Sequence, residues 1–168
     1  MKRTAATVLA LSLLPVMLTN AAAAADVVHH PNVGSTFPIA RAVEVPPGFN
    51  LIFHSGFTPT PLDAKAKEGT PEYWGDTRTQ SIAVFKRLQE SLKTLGVGFG
   101  DVVKMNVYLV GEPSTGKMDF KGFMDAYTQY FGTKEQPNLP ARTTVQVASL
   151  NAAGMLVEIE VVLAKKTS

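Results

Sequence analysis

The segments PARTTVQVASL (residues 140–150) and VEIEV (residues 157–161) determine the predicted fold of the C-terminal half. Apolar and polar residues alternate in both segments, which is the two-residue period of β-strands. They predict strands over 143–150 and 155–163, and the Asn-Ala-Ala-Gly sequence at 151–154 is typical of a turn. If that turn closes a hairpin, Glu158 pairs near Val147, and Arg142 lies roughly 16 Å away along the strand. A single chain would not easily bring Arg142 and Glu158 together.

The segments upstream add two predicted helices and three more strands. Strands over 39–45 and 51–54, joined by Pro46-Pro47-Gly48, are predicted to form a β-hairpin. Residues from about 56 to 76 lack periodicity and predict a long loop, which in a compact domain is usually functional or an insertion. A strand over 102–110 follows from its alternation of apolar and polar residues.

Two amphipathic helices flank that central strand. The first carries apolar residues at helical spacing from Ile82 to Leu95, with Asp76 or Thr77 as the N-cap and Gly96 at the C-terminal end. The second carries an aromatic stripe from Phe120 to Phe131, with Asp119 near its start. The order β-β-α-β-α-β-β predicts a two-layer α/β domain with a mixed sheet.

The last two strands place apolar residues on both faces of that sheet. Val145 and Val147, together with the odd-numbered residues Val157 to Val161, are assigned to one face. Glu158 and Glu160 share the other face with Leu156 and Val162. Because helices cover only one face, the pattern predicts that the other is buried in an oligomer.

The N-terminal segment has the organisation of a secretory signal peptide. Lys2 and Arg3 precede an apolar run over 5–18 and a small-residue stretch over 21–25. The run is too short to span a bilayer, so we expect no membrane segment after cleavage near Asp26, a domain over 26–168, and a periplasmic or secreted protein.

Charge and cysteine content exclude several function classes. The chain has 16 basic and 14 acidic residues, so removal of Lys2 and Arg3 leaves 14 against 14. A neutral domain without a basic run argues against nucleic acid as the main partner. The absence of cysteine rules out disulfides and a thiolate nucleophile.

Two further patterns are tested and rejected. Residues 111–117 match the Gly-x4-Gly-Lys core of a phosphate-binding loop, but Met118 replaces the hydroxyl that holds magnesium and Pro113 removes a backbone donor. His29, His30 and His54 lack an acidic partner at ligand spacing, so we expect no metal site. Trp74 is expected to pack on its own domain rather than cover a cleft.

Several motifs resemble those of the reactive-intermediate deaminase family, also called RidA or YjgF-like. Pro140-Ala141-Arg142, followed by an alternating strand and the apolar-Glu-Ile segment at 157–159, is similar to the family's C-terminal signature. Ser55-Gly56 after an apolar strand and the segment DVVK (101–104) also fall where the family has equivalents. The resemblance covers residues from about 34 to 166.

The resemblance implies a chorismate-mutase-like fold with a mixed six-stranded type of sheet, two helices on one face, and a homotrimer. It also implies a hydrolase of the 2-iminobutanoate/2-iminopropanoate deaminase type, whose clefts between subunits convert 2-imino or 2-enamino acids to 2-keto acids and ammonia. Arg142 matches the residue that binds the substrate carboxylate, Glu158 the residue that activates water, and Ser55 a pocket hydroxyl. A guanidinium binds a carboxylate in bidentate fashion, and a carboxylate can orient water without a metal or cofactor.

The chain departs from the family pattern at two pocket positions. Ile39 stands where family members usually carry a Tyr, and Met124 stands where they carry an Asn. The loop over 57–74 is also longer than in compact members. We therefore expect a small carboxylate substrate that is larger or more apolar than usual, with Ile39 and Met124 lining its pocket. A non-catalytic trimeric ligand-binding or chaperone-like protein of the same fold is the alternative.

Overall fold

The computed structural model describes residues 25–167. The predicted signal peptide, residues 1–25, lies outside this range except for its last residue. Within the described range no helix is both long and apolar enough to cross a membrane. The strands are β1 (Val28–Pro31), β2 (Ala40–Glu44), β3 (Phe49–Phe57), β4 (Val102–Val110), β5 (Ala141–Val147) and β6 (Val157–Lys166), and the helices are α1 (Pro71–Trp74), α2 (Thr77–Thr94) and α3 (Phe120–Tyr127).

The strands form one mixed six-stranded sheet in the order β1-β2-β5-β4-β6-β3. The pairing of β4 with β5 is parallel, and that of β4 with β6 is antiparallel. The predicted mixed sheet with its two long helices is therefore confirmed. Strand β1 was not predicted, because its sequence Val-His-His-Pro is short and polar.

The helix ends follow the predicted capping residues. The Asp76 side chain accepts a hydrogen bond from the backbone N–H of Thr79 at 2.7 Å, and Asp119 accepts one from Gly122 at 2.9 Å. The first pairing fixes the start of α2 and the second the start of α3. Gly96, just after α2, has a φ of +67°, the left-handed conformation that glycine adopts most easily.

The predicted hairpin between the second and third strands is wrong. Strand β2 pairs with β1 and touches β5 only at the pair Ala40 and Ala141. Strand β3 pairs instead with β6, at the far edge of the sheet. Pro46-Pro47 explains the difference, because successive prolines favour extended backbone and supply no N–H for a tight reversal.

The predicted hairpin between the last two strands is also wrong, because β4 lies between β5 and β6. Residues 148–156 cross from one side of β4 to the other. Buried Gln80 of α2 fixes this connection: its Oε1 accepts from the N–H of Leu156 at 2.7 Å, and its Nε2 donates to the carbonyl of Gly154 at 2.9 Å. No local sequence pattern encodes such a contact from a distant helix.

The helices cover one face of the sheet. The core there contains Met105 and Val107 of β4 and Ile159 of β6, each fully buried, beneath Phe85 of α2 and Phe123 of α3. Within residues 25–167 no helix covers the opposite face. The predicted face of Val145 and Val147 requires correction: Val145 and Glu158 both pair with Tyr108, so these two valines share the helix-free face with Glu158.

Candidate functional site

Arg142 lies near the start of β5, on the face that the helices cover. Four aromatic rings surround its guanidinium, and we call them the aromatic cage. The guanidinium carbon is 4.3 Å from the ring centre of Tyr127, 5.1 Å from Phe123, 5.4 Å from Phe37 and 5.9 Å from Phe120. These distances lie within the range of cation–π contacts.

The charge of Arg142 has no acidic partner among residues 25–167. Its Nη1 atom is buried without a hydrogen bond, and its Nη2 atom lies 3.2 Å from the sulfur of Met124. Burial lowers the pKa of Arg142, while Tyr127 acts in the opposite direction. Because a buried charge is costly unless it is paired, this cage is suited to receive an anion.

Thr144 extends the same set of unpaired groups. It lies two residues beyond Arg142 and therefore on the same face of β5. Its hydroxyl oxygen is buried without a hydrogen-bond partner within the described range. Sequence analysis missed this residue, although its spacing from Arg142 could have indicated it. Both groups can donate hydrogen bonds to a carboxylate bound on this face of β5.

Tyr127 connects the cage to the segment before β2. Its hydroxyl donates to the carbonyl oxygen of Pro38 at 2.9 Å, and burial raises the pKa of Tyr127 to about 12. The neighbouring residues Phe37 and Ile39 line a groove with a cavity volume of about 540 Å³. Ile39 thus lies on a groove that begins at the cage, and Phe37 belongs to both.

Glu158 lies on the other side of the sheet, beside the Ser55-Gly56 segment of β3. A Cβ atom at Gly56 would overlap the Oε1 atom of Glu158, so glycine leaves room for this carboxylate. A register shift follows His54, whose ring lies 2.7 Å from the Ser55 carbonyl and 2.8 Å from the Ser91 hydroxyl. The Ser55 side chain is exposed next to this irregularity.

The neighbouring carboxylate, Glu160, is held by two side chains of β4. It accepts hydrogen bonds from Asn106 at 2.7 Å and from the Tyr108 hydroxyl at 3.0 Å. The hydrogen bond to Glu160 raises the pKa of Tyr108. Glu158, by contrast, accepts no hydrogen bond from a described residue that would fix its carboxylate.

Within one chain Met124 lies beside Arg142, and the Ser55-Gly56 segment lies beside Glu158. The fold does not bring Arg142 and Glu158 together. Arg142 pairs with Met105 across the sheet, whereas Glu158 pairs with Tyr108, three residues further along β4. Their side chains also lie on opposite faces. The predicted separation therefore holds, although the hairpin on which it was based does not exist.

The rejected phosphate loop and the expected packing of Trp74 both have structural explanations. In the loop resembling a phosphate site, the N–H of Gly116 donates to the Glu112 carbonyl at 2.8 Å, and the Gln146 side chain binds the Gly116 carbonyl at 2.9 Å. Both backbone groups of Gly116 are thus already bound by the protein itself. Trp74 is only 4% exposed and donates to the Ala153 carbonyl at 2.8 Å, which confirms packing on its own domain.

Comparison with solved structures defines the class of fold. The Rid family protein YyfB of Yersinia pestis superimposes with a TM-score of 0.61 at 19% identity, covering 84% of this chain and all of the other. Yeast Mmf1 superimposes with a TM-score of 0.53 at 24% identity, covering 79% and 90%. The domain therefore has the two-layer α+β fold of the Rid proteins.

Comparison of sequences then gives the family. The family model described as Endoribonuclease L-PSP matches residues 35–165. A RutC family protein of Pyrococcus horikoshii is 31% identical over 117 residues, covering 70% of this chain and 81% of the relative. Protein DfrA of Myxococcus xanthus is 33% identical over 125 residues, covering 74% and 83%. The chain belongs to this family, which contains the RidA and YjgF proteins and includes imine deaminases.

Proposed function

We propose that this protein is a hydrolytic deaminase that converts 2-imino or 2-enamino acids to 2-keto acids and ammonia. Arg142 binds the substrate carboxylate, and Glu158 of a second subunit orients and deprotonates the attacking water. The water oxygen adds to the imine carbon, both water protons pass to the nitrogen by way of Glu158, and the carbon–nitrogen bond then breaks so that the nitrogen leaves as ammonia. The step needs only proton transfers, which a positioned carboxylate can perform.

The observation that carries this proposal is the unpaired guanidinium of Arg142. It is half-buried among four aromatic rings with no acidic partner among residues 25–167, and the Thr144 hydroxyl, two residues along the same face of β5, is buried without a hydrogen bond. A small carboxylate supplies the missing charge and acceptor atoms together. Bidentate binding also fixes the carbon next to the carboxylate, which is the carbon that reacts.

A second subunit is needed because Arg142 and Glu158 lie on opposite faces of one sheet. Among the residues that the structure describes, the outer edge of β5 has a strand partner only at Ala141, which leaves the edge beside Arg142 available to another chain. The helix-free face also carries apolar side chains such as Phe53, which is 77% exposed. Both features support the proposed homotrimer with sites between subunits.

The pocket lining favours substrates with apolar side chains. The Met124 sulfur rather than an amide faces Arg142, and Ile39 and Phe37 line the adjacent groove. We therefore propose that imines with branched or aromatic side chains are hydrolysed faster than those with methyl or ethyl groups.

We also propose that residues 1–25 direct export of the protein to the periplasm or the medium. N-terminal sequencing of the protein from its host would test this.

The test is release of ammonia and 2-keto acid from freshly generated 2-imino acids. Arg142→Ala and Glu158→Gln should each lower kcat/KM by at least about 100-fold, as expected for loss of substrate positioning or proton transfer. Glu160→Gln is the matched control, since Glu160 lies on the same strand and face but is held by Asn106 and Tyr108. Unchanged activity in Arg142→Ala would contradict the proposal.

One observation favours a second function, in which the protein binds carboxylates without turnover. The Met124 sulfur occupies the position beside Arg142 Nη2 where the resemblance places an amide that could contact substrate. A non-catalytic or chaperone-like trimer would still be stabilised by 2-keto acids through Arg142. Thermal stabilisation by 2-keto acids, lost in Arg142→Ala and accompanied by no imine hydrolysis, would support this alternative.

A further inference from the structure

The long loop between β3 and α2 forms a second groove with α2. The groove has a cavity volume of about 280 Å³, close to the lower limit for small-molecule pockets. Its walls are Pro61 and Leu62 from the loop, Trp74 from α1, and Ile82 from α2. None of these residues belongs to the proposed deaminase site.

The loop wall is fixed at both ends. At one end, the Arg87 guanidinium donates to the Thr58 carbonyl and lies 4.6 Å from the ring centre of Phe57. At the other end, the N–H of Leu62 donates to the Tyr73 carbonyl at 2.7 Å. The groove is therefore built by specific contacts, yet the Leu62 side chain that lines it remains 61% exposed.

The charge of the groove is concentrated at one end. Thr79, Ile82 and Lys86 follow helical spacing and form one stripe of α2 that ends in a basic residue. Neither Lys86 nor Arg87 forms an ion pair within residues 25–167. Two uncompensated cations at the end of an apolar channel complement a ligand with an anionic head and an apolar body.

We propose that this groove binds a small amphiphilic carboxylate, with its apolar chain against Leu62, Ile82 and Trp74 and its carboxylate beside Lys86 and Arg87. The cavity volume limits the ligand to a short alkyl chain or a single ring. The site is separate from the Arg142 cage and does not depend on the deaminase proposal.

The single Trp of the chain lines this groove, so its fluorescence reports on the occupant. Octanoate is the probe and octanol the neutral comparison, both measured by Trp fluorescence and by calorimetry. We expect a saturable response to octanoate, with octanol binding more weakly. Leu62→Ser should weaken octanoate binding about fivefold through lost apolar contact, and Lys86→Ala about threefold through lost charge.

Lys93→Ala is the matched control, because Lys93 lies on the same helix and pairs with Glu90 outside the groove. Its binding of octanoate should equal that of the unmodified protein. Absence of saturable binding in both measurements would overturn the proposal, as would octanoate binding that Leu62→Ser leaves unchanged. Equal affinity for octanol and octanoate would overturn the assignment of an anionic ligand.

Discussion

At the scale of single residues, Arg142 is the clearest link between sequence and function. Its sequence motif indicated a carboxylate-binding role, but the reason becomes physical only in the folded chain. Four aromatic rings and the Met124 sulfur partly shield the guanidinium from water, and no acidic side chain among residues 25–167 supplies a counter-charge. The sequence identified the aromatic stripe of α3 as core only, because helical spacing does not reveal which face also receives an arginine from a distant strand.

Gly56 provides a test of Glu158 that leaves the carboxylate itself intact. A Cβ atom at position 56 would overlap Glu158 Oε1, so Gly56→Ala must displace this side chain. We expect kcat for imine hydrolysis to fall at least about tenfold, because small misplacements of a catalytic group are costly. The free energy of unfolding should fall by about 1–3 kcal/mol from overpacking.

Gly98→Ala is the matched control for the Gly56 variant. Gly98 has extended backbone, and a Cβ atom there would have no heavy atom within 4 Å. Its kcat should stay within about twofold of the unmodified protein, since a methyl group that meets no neighbouring atom rarely affects function. Full activity in Gly56→Ala would show that the position of Glu158 does not matter.

Tyr127 should make stability sensitive to alkaline pH. Its pKa is raised to about 12 in the folded chain, against about 10 in the unfolded chain. The raised pKa thus adds roughly 2–3 kcal/mol to the free energy of unfolding below pH 10, and this stabilisation is lost as the pH rises from 10 to 12. Chemical unfolding at several pH values should show this loss in the unmodified protein and not in Tyr127→Phe. At neutral pH the free energy of unfolding of Tyr127→Phe should be lower by about 1 kcal/mol, because the variant lacks the hydrogen bond to Pro38.

At the scale of elements, the connection over residues 148–156 depends on α2. Gln80 is fully buried. Its side-chain amide forms hydrogen bonds with the backbone of Leu156 and Gly154 in this connection and with the Gly75 carbonyl. Gln80→Ala should lower the free energy of unfolding by about 3 kcal/mol, because backbone groups are left buried and unpaired. Urea unfolding would measure this, with the exposed Gln89→Ala on the same helix expected to change it by less than about 0.5 kcal/mol.

The elements themselves were largely predictable, whereas their pairing was not. Helical periodicity and the capping residues Asp76 and Asp119 located both long helices, and alternation with turn residues located five of the six strands. Both predicted hairpins were wrong, because neighbouring strands in the sequence favour a local reversal only when nothing else competes. Here β3 pairs with β6 instead of β2. Gln80 of α2 fixes the segment over residues 148–156 that connects β5 to β6 across β4, and this is a tertiary contact.

At the scale of the whole molecule, the helix-free face should determine the oligomeric state. Phe53 lies on this face opposite Val162 and is 77% exposed, an unusual position for a phenylalanine that stays in water. Phe53→Glu should convert the proposed trimer to monomers, as measured by light scattering after size exclusion. Val33→Glu is the control, since Val33 is 80% exposed but lies outside the sheet. A Phe53→Glu protein that stays trimeric would argue against an interface on this face.

The candidate site was only partly predictable for a related reason. Arg142, Met124, Glu158 and the Ser55-Gly56 segment were found from motifs, whereas Thr144 and the reason for glycine at position 56 emerged only from burial and close approach in the folded chain. A site shared between subunits cannot be read from one chain, because neither strand period nor helix spacing says what a second copy contributes. The opposite orientations of Arg142 and Glu158 are the observation on which the proposed two-subunit site rests.

Subunit complementation tests this claim most directly. Arg142→Ala and Glu158→Gln are each expected to be inactive, and they are co-expressed in equal amounts to form mixed trimers. If each site combines Arg142 of one subunit with Glu158 of the next, about one quarter of the sites carry both native residues, so about one quarter of the original activity should return. Mixed trimers that remain inactive would contradict a site built from two chains.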